Sequence, residues 1–314
     1  MQIFLQVHTR HRKAIPEIMI YADHNATAPL RPEAREAMLA AFDMGATNPS
    51  SVHARGRAAR AVVESARVQV GGAIGSRAAD VIFTGGGTEA DALAVQGVVD
   101  ALGAGCTLIV SAIEHEAIAK SAGHSGALVQ AAYVTEAGTL DLDDLRTRMD
   151  NWDSEALGTP VLCVMLANNE TGIIQPVAEA AAIMREAGGL TICDAVQALG
   201  KIPVNVAMLG VDYLTISAHK VGGPQGVGAL WHRAGAPLKA ILYGGGQERS
   251  LRSGTENVAG IAGFGAAVDA AVRDLPKYAA LAAHRDNMEA RLKAEGGVVV
   301  IGEGSERLAG TSNF

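Results

Sequence analysis

Aromatic residues make up only 4% of the 314-residue chain, two of them tryptophan. That leaves little material for a base-stacking surface. Positive charge is scarce as well: 26 Lys and Arg stand against 33 Asp and Glu, a net charge of −7, with no long basic block. Nucleic acid is therefore not an expected partner. No apolar run approaches bilayer-spanning length, so no membrane insertion is expected. Cysteine is limited to Cys106, Cys163 and Cys193. Their spacing fits no zinc pattern, so no metal site is expected. An odd count suits a reducing, cytoplasmic compartment better than a disulfide framework. Cys163 and Cys193 lie in apolar runs and read as buried structural thiols.

What is present is an Ala-, Gly- and Val-rich chain long enough to bury a full α/β core, with room for a smaller second unit. Residues 1–18 carry His8, Arg10, His11, Arg12 and Lys13 and show no clear period. They lack the charge-then-apolar order of a signal peptide. They are expected to be a disordered extension, with a transit peptide as the alternative. A large domain is expected over 19–258. An incomplete small α+β domain is expected over 259–314.

Along the chain, strand and helix signals alternate. Ile20-Tyr21-Ala22 reads as a short strand, Pro32 opens a helix, and Asn48-Pro49-Ser50-Ser51 is a loop with a cap for a helix over Ala54–Ile74. Strands are expected at Asp80–Phe83, Thr107–Val110, Ala127–Tyr133, Pro160–Leu166, Leu190–Cys193, Val211–Ile216 and Val227–Trp231. Helices are expected at Thr88–Leu102, Asp141–Met149 and Pro176–Ala187. Two more follow over Thr255–Leu275 and Lys277–Glu295, and Val298–Ile301 begins a last strand. Such alternation implies a mostly parallel sheet covered by helices on both faces, with ligands gathering at the carboxyl ends of its strands.

Chemistry-bearing residues cluster at those ends. Gly85-Gly86-Gly87-Thr88-Glu89 joins a strand to a helix, where backbone N–H groups and the helix dipole suit a phosphate. A tight packing turn is the plainer alternative. Gly85, Gly87 and Ala90 also satisfy the Gly-x-Gly-x-x-Ala dinucleotide fingerprint, with Glu114 placed like a ribose-binding acid, which keeps a Rossmann dehydrogenase open. His115, in a loop after another strand, could stack on a flat ring or move protons. Asn168 and Asn169 could bond a phenolic oxygen or a carboxylate. Asp194 could pair with the protonated nitrogen of a pyridine cofactor or cap the next helix, and a helical turn returns Gln197 to its side. Strand alternation turns Cys193 away if Asp194 faces a ligand. Lys220, in Ser217-Ala218-His219-Lys220 after a buried strand, could form a Schiff base.

Eight motifs taken together resemble the cysteine desulfurases, fold-type I enzymes of the class V aminotransferase group that use pyridoxal 5'-phosphate (PLP). They are Tyr21–Pro29, Asn48–His53, Phe83–Asp91, Glu114-His115, Asn168–Gly172, Cys193–Gln197, Ser217–Gly226 and Arg252–Asn257. The resemblance covers nearly all of 19–314. It implies that Lys220 carries the cofactor covalently, that Asp194 pairs with the ring nitrogen and that His115 stacks on the ring. Asn169 and Gln197 would bond the phenolic oxygen. Gly87, Thr88, Ser217 and His219 would hold the phosphate, with Thr255 reaching it from the other subunit of a homodimer. The family takes sulfur from L-cysteine, leaving alanine and an enzyme persulfide, and passes it to acceptor or iron–sulfur scaffold proteins.

The family's persulfide cysteine and substrate-carboxylate arginine have no counterpart among these residues, and none of the three cysteines matches the nucleophile position. The sequence therefore leads to the expectation of a chain that binds PLP and is impaired in sulfur transfer. The alternatives are another fold-type I enzyme, such as an aminotransferase or a selenocysteine or cysteine-sulfinate lyase, or a non-catalytic remnant.

Overall fold

The computed structural model describes residues 20–103 and 105–314. The extension expected over 1–18 lies outside them. The described residues open with two helices, α1 (Pro32–Asp43) and α2 (Ala54–Ala73). It then alternates through β1 (Val81–Thr84), α3 (Gly87–Leu102), β2 (Cys106–Ser111), α4 (Glu116–His124), β3 (Leu128–Ala132) and two helices, α5 (Leu142–Asp150) and α6 (Ser154–Leu157). Next come β4 (Thr159–Met165), α7 (Val177–Glu186), β5 (Leu190–Asp194), α8 (Val206–Leu209), β6 (Tyr213–Ser217) and β7 (Gly228–His232). Three helices follow: α9 (Val258–Arg273), α10 (Leu275–Ala279) and α11 (Leu281–Glu295).

Among the described residues, seven strands form one sheet in the order β1-β7-β6-β5-β4-β2-β3. Only β7 runs against its neighbours β1 and β6; the other pairs are parallel. This order is not that of the usual doubly wound dinucleotide fold, whose mostly parallel strands are arranged 3-2-1-4-5-6. The dehydrogenase reading fails on it.

The sheet is buried on both faces, and alternation along each strand feeds two cores. In β4, Val161 and Cys163 join one core while Leu162 and Val164 join the other. In β5, Ile192 faces the first and Cys193 the second. The first core takes Leu93 and Val98 of α3 and Ile118 of α4. The second takes residues of α2, α7 and α9. A strand buried on both sides needs a continuous apolar run, which β4 supplies.

Helix α9 packs closely on α1 and α2 because it carries glycine where they cross. A Cβ on Gly265 would come within 2.8 Å of the Ala66 backbone, and one on Gly263 within 2.7 Å of Met38. Phe264, Ala267 and Val268 of α9 are fully buried in the second core. The boundary expected after residue 258 thus falls at the start of a helix that belongs to the main core.

Three local expectations are corrected. Ile20–Ala22 is not a strand; Tyr21 donates its hydroxyl to the Asp23 and Thr27 carbonyls across a turn. Helix α2 is capped by His53, whose Nδ1 accepts from Gly56 N, and not from the Asn48–Ser51 loop. Val298–Ile301 forms no strand. Left-handed turns at Gly296, Gly297 and Gly302 flank it, and no neighbouring strand pairs with it. Instead the later segment docks: Ile173 bridges Arg307, Ile174 donates to Glu306 O, and Leu308 donates to Gly172 O. A buried Arg307–Glu289 pair fastens that segment to α11.

Candidate active site

A cleft of about 720 Å3 opens where α3 begins, beside the carboxyl ends of β1 and β6. Gly85 to Glu89, Ser217, His219, Ala26, Thr27 and Gly226 line it. Helix α3 starts at Gly87 with Gly86 as its cap residue, and no side chain satisfies its first N–H groups. Those donors and the positive end of a 16-residue helix face the cleft. Side chains here would close the space: a Cβ on Gly87 would press at 3.2 Å on Ser217, and one on Gly228 would strike the Gly86 carbonyl carbon at 2.5 Å. Glu89 does not spoil the cradle for an anion. Its carboxylate is held by Arg252, at 2.7 and 3.2 Å, and accepts from Gly85 N. The free helix start, the hydroxyls of Thr88 and Ser217 and the His219 ring fit a phosphate group.

Lys220 stands in the single helical turn after β6 and is half-buried. Its Nζ donates to the Asn25 carbonyl and, at 3.0 Å, to the Ala26 carbonyl. Burial pushes its pKa down, and the Asp194 and Asp23 carboxylates oppose that shift. Asp194 closes β5, the strand beside β6, with Asp194 paired to Thr215. It is buried, and its Oδ1 accepts from Val196 N at 2.8 Å, which closes a turn; no helix begins there, so the helix cap expected as an alternative is not formed. Its Oδ2 takes no hydrogen bond among the described residues. Burial raises the Asp194 pKa, while His115 and Lys220 are close enough for their charges to pull it back.

His115 caps α4 through Nδ1, which accepts from Ala117 N, and is otherwise exposed. Asn168 is occupied internally: it donates to Ile113 O and its Oδ1 accepts from Glu170 and Thr171. Asn169 contributes its carbonyl to Asn25 Nδ2, leaving its side chain outside the described hydrogen bonds. Gln197 is buried and donates to the Asn25 carbonyl at 2.9 Å. Thr255 is exposed and does not line the main cleft of its own chain. It lies at a second cavity of about 110 Å3 that shares only Gly85 and Gly226 with the main cleft. Glu114 is not placed to read a ribose. Its Oε1 accepts from Met165 N, its Oε2 is buried without a partner, and burial beside Asp194 pushes its pKa up to about 8.

Sequence reasoning missed two residues here. Asn25 is the hub to which Lys220, Gln197, Lys201 and Asn169 all bond, and Thr311 joins it. Lys201 is a buried lysine one helical turn beyond Gln197. The i, i+4 spacing of Gln197 and Lys201 in an otherwise apolar stretch was the available signal.

All three thiols are buried and free, and burial raises each one's pKa. Cys193 lies in the core opposite the Asp194 side of the sheet, as strand alternation predicts. Among the described residues no cluster of His, Cys, Asp or Glu could hold a metal ion, and no helix is long and apolar enough to cross a membrane.

A sequence profile of the Aminotransferase class-V family matches residues 20–314. A cysteine desulfurase IscS of Dictyoglomus turgidum is 42% identical over 262 residues, which cover 82% of this chain and 65% of that protein. A cysteine desulfurase of a Frankia strain is 40% identical over 321 residues, covering 94% of this chain and 74% of its own length. The chain thus spans roughly two thirds to three quarters of the length of these relatives. Among solved structures, a NifS-like protein of Rickettsia africae matches with a TM-score of 0.86 and 34% identity, over 93% of this chain and 79% of that one. The chain therefore belongs to the class-V aminotransferase family, among its cysteine desulfurases.

Proposed function

We propose that this chain binds PLP at Lys220 and takes sulfur from L-cysteine. The observation that carries the reading is the joint placement of a half-buried amine, a buried carboxylate and an uncapped glycine helix start at the ends of β6, β5 and β1. Enzymes of this family depend on PLP, which when bound supplies an aldehyde for an amine and a ring that accepts electrons.

Gly87, Thr88, Ser217 and His219 hold the phosphate, with Thr255 of the partner subunit completing the cradle in a homodimer. The exposure of Thr255 supports that assignment. Asp194 keeps Oδ2 for the ring nitrogen, and a protonated nitrogen there offsets the burial that raises its pKa. His115 presents an exposed ring for stacking, and Asn169 and Gln197 donate to the phenolic oxygen. Lys220 Nζ, depressed in pKa, is the amine in place to take a proton from the substrate Cα.

Overall, L-cysteine and an acceptor thiol give alanine and a persulfide. The Cβ–Sγ bond breaks, a sulfur–sulfur bond forms, and a proton moves from the thiol to Cβ. Cys106, Cys163 and Cys193 are too buried to be that acceptor, so the acceptor thiol is taken to belong to a partner protein, such as an iron–sulfur scaffold. Free buried thiols suit a cytoplasmic site. The test is to reconstitute the protein with PLP and supply L-cysteine and a thiol reductant. Alanine and sulfide should form in equal amounts, slowly because no exposed thiol of this chain can accept the sulfur, and Lys220→Ala should abolish both. Cofactor-dependent turnover that yields neither, or an unaffected Lys220→Ala variant, contradicts the reading.

A further inference from the structure

Lys201 makes its side-chain hydrogen bonds only to residues of the site. It is 8% exposed, and its Nζ donates to Gln197 Oε1 at 2.6 Å and to Asn25 Oδ1 at 2.8 Å. Burial, with the Lys220 charge nearby, pushes its pKa down to about 7. A lysine this deep is uncommon without a carboxylate partner, and here two amide oxygens take that place.

The bonds fix which way the Gln197 amide faces. A backbone carbonyl only accepts, so the end of Gln197 that meets the Asn25 carbonyl is its NH2. The other end, its oxygen, meets Lys201. This holds whether Lys201 is charged or neutral, because either form has a donor. Lys220 Nζ converges on the same Asn25 carbonyl as Gln197 Nε2, so the two nitrogens are neighbours. One Gln197 N–H is spent on Asn25, and the second is left for an acceptor beside Lys220. Lys201 also donates to Asn25 Oδ1, which commits Asn25 Nδ2 to the Asn169 carbonyl and to Thr311.

We propose that Lys201 is a positioning residue, which by holding Gln197 Oε1 and Asn25 Oδ1 makes the Gln197 NH2 the end offered to the phenolic oxygen of the cofactor. The inference rests on the PLP reading above. Without Lys201 the Gln197 oxygen loses its partner and only the Asn25 carbonyl still orients the amide, so it turns over more readily and a donor is exchanged for a second acceptor.

The test is a spectroscopic pH titration of the visible absorbance band of the PLP-loaded protein, with Lys201→Met, Gln197→Ala and the double variant. Loss of a donor leaves the phenolic oxygen more basic, so the titration midpoint should rise by about one pH unit in Lys201→Met, the scale of a hydrogen bond to a charged oxygen. Gln197→Ala should raise it similarly. The double variant should shift no further than either single one, since Lys201 acts through Gln197. An unchanged midpoint in Lys201→Met, or additive shifts that mark a direct charge effect, overturns the proposal. Should Lys201→Met fail to fold, Lys201→Gln retains a donor without the charge. A wild-type midpoint in that variant supports the proposal, and a raised one overturns it. A wild-type protein that gains no visible band with PLP refutes the underlying function instead, which keeps the two failures apart.

Discussion

Asp194 concentrates the electrostatics of the site in one side chain. It is buried, bonded at Oδ1 only by Val196 N, and raised in pKa by burial. A buried carboxylate in that state is costly until a cation faces it. Replacing it by Asn keeps the shape and the Val196 bond but removes the charge. Asp194→Asn should therefore weaken PLP retention and slow alanine formation by on the order of a hundredfold, the scale of one charge-assisted hydrogen bond. Absorbance titration with PLP and steady-state rates would measure both, and near-normal values would contradict the pairing. The cysteines carry a simpler expectation. All three are buried, so a thiol reagent should label the native protein only at the rate at which it opens.

At the level of elements, the loop over Gln247–Ser250 is held in a conformation it would not adopt alone. Glu248, Arg249 and Ser250 all have positive φ, at 45°, 58° and 65°. The loop is pinned because buried Glu248 meets the Arg67 guanidinium at 2.5 and 2.8 Å and accepts from Phe83 N. Arg249 adds a bond to the Val81 carbonyl. Three such backbone states each cost about 1 kcal/mol or more, and the pair offsets them. Glu248→Gln leaves Arg67 buried with a weakened partner, and a loss of about 3 kcal/mol or more in chemical denaturation is expected. A loss within 0.5 kcal/mol, about that of an ordinary surface change, would show that the loop needs no such anchor.

The strand ends were legible in the sequence because each carries its chemistry in one contiguous motif. Lys220, Asp194, His115, Thr88 and Gln197 all stand where a strand gives way to a turn or helix. The network that orients them was not legible. Asn25 lies 172 residues from Gln197 and 286 from Thr311, and no local pattern encodes such contacts. The strand expected at 298–301 failed for a related reason: its apolar, β-branched residues have the right propensity, but a strand exists only where another pairs with it. His53 escaped notice as a cap because a histidine does not belong to the usual capping set.

For the molecule as a whole, Glu114 makes stability depend on pH. Its carboxyl pKa rises from an ordinary 4.5 to about 8 in the folded chain. Between those values the folded chain holds a proton that the unfolded chain has released. The stabilisation is fully present below pH 4.5 and is lost as pH rises through about 8. Apo-protein unfolding free energy should therefore fall between pH 5.5 and 7.5, and Glu114→Gln should flatten the fall. The advantage of the variant should grow toward pH 7.5, reaching a few kcal/mol at most. Parallel curves for the two proteins would show that Glu114 is ionised throughout.

Reduction with borohydride followed by peptide mapping tests the central claim most directly. The PLP-loaded protein should lose its visible band on reduction, and the cofactor should be found fixed to the peptide bearing Lys220 and to no other. Cofactor fixed to Lys201 or to another lysine, or no fixed cofactor at all, would contradict the account.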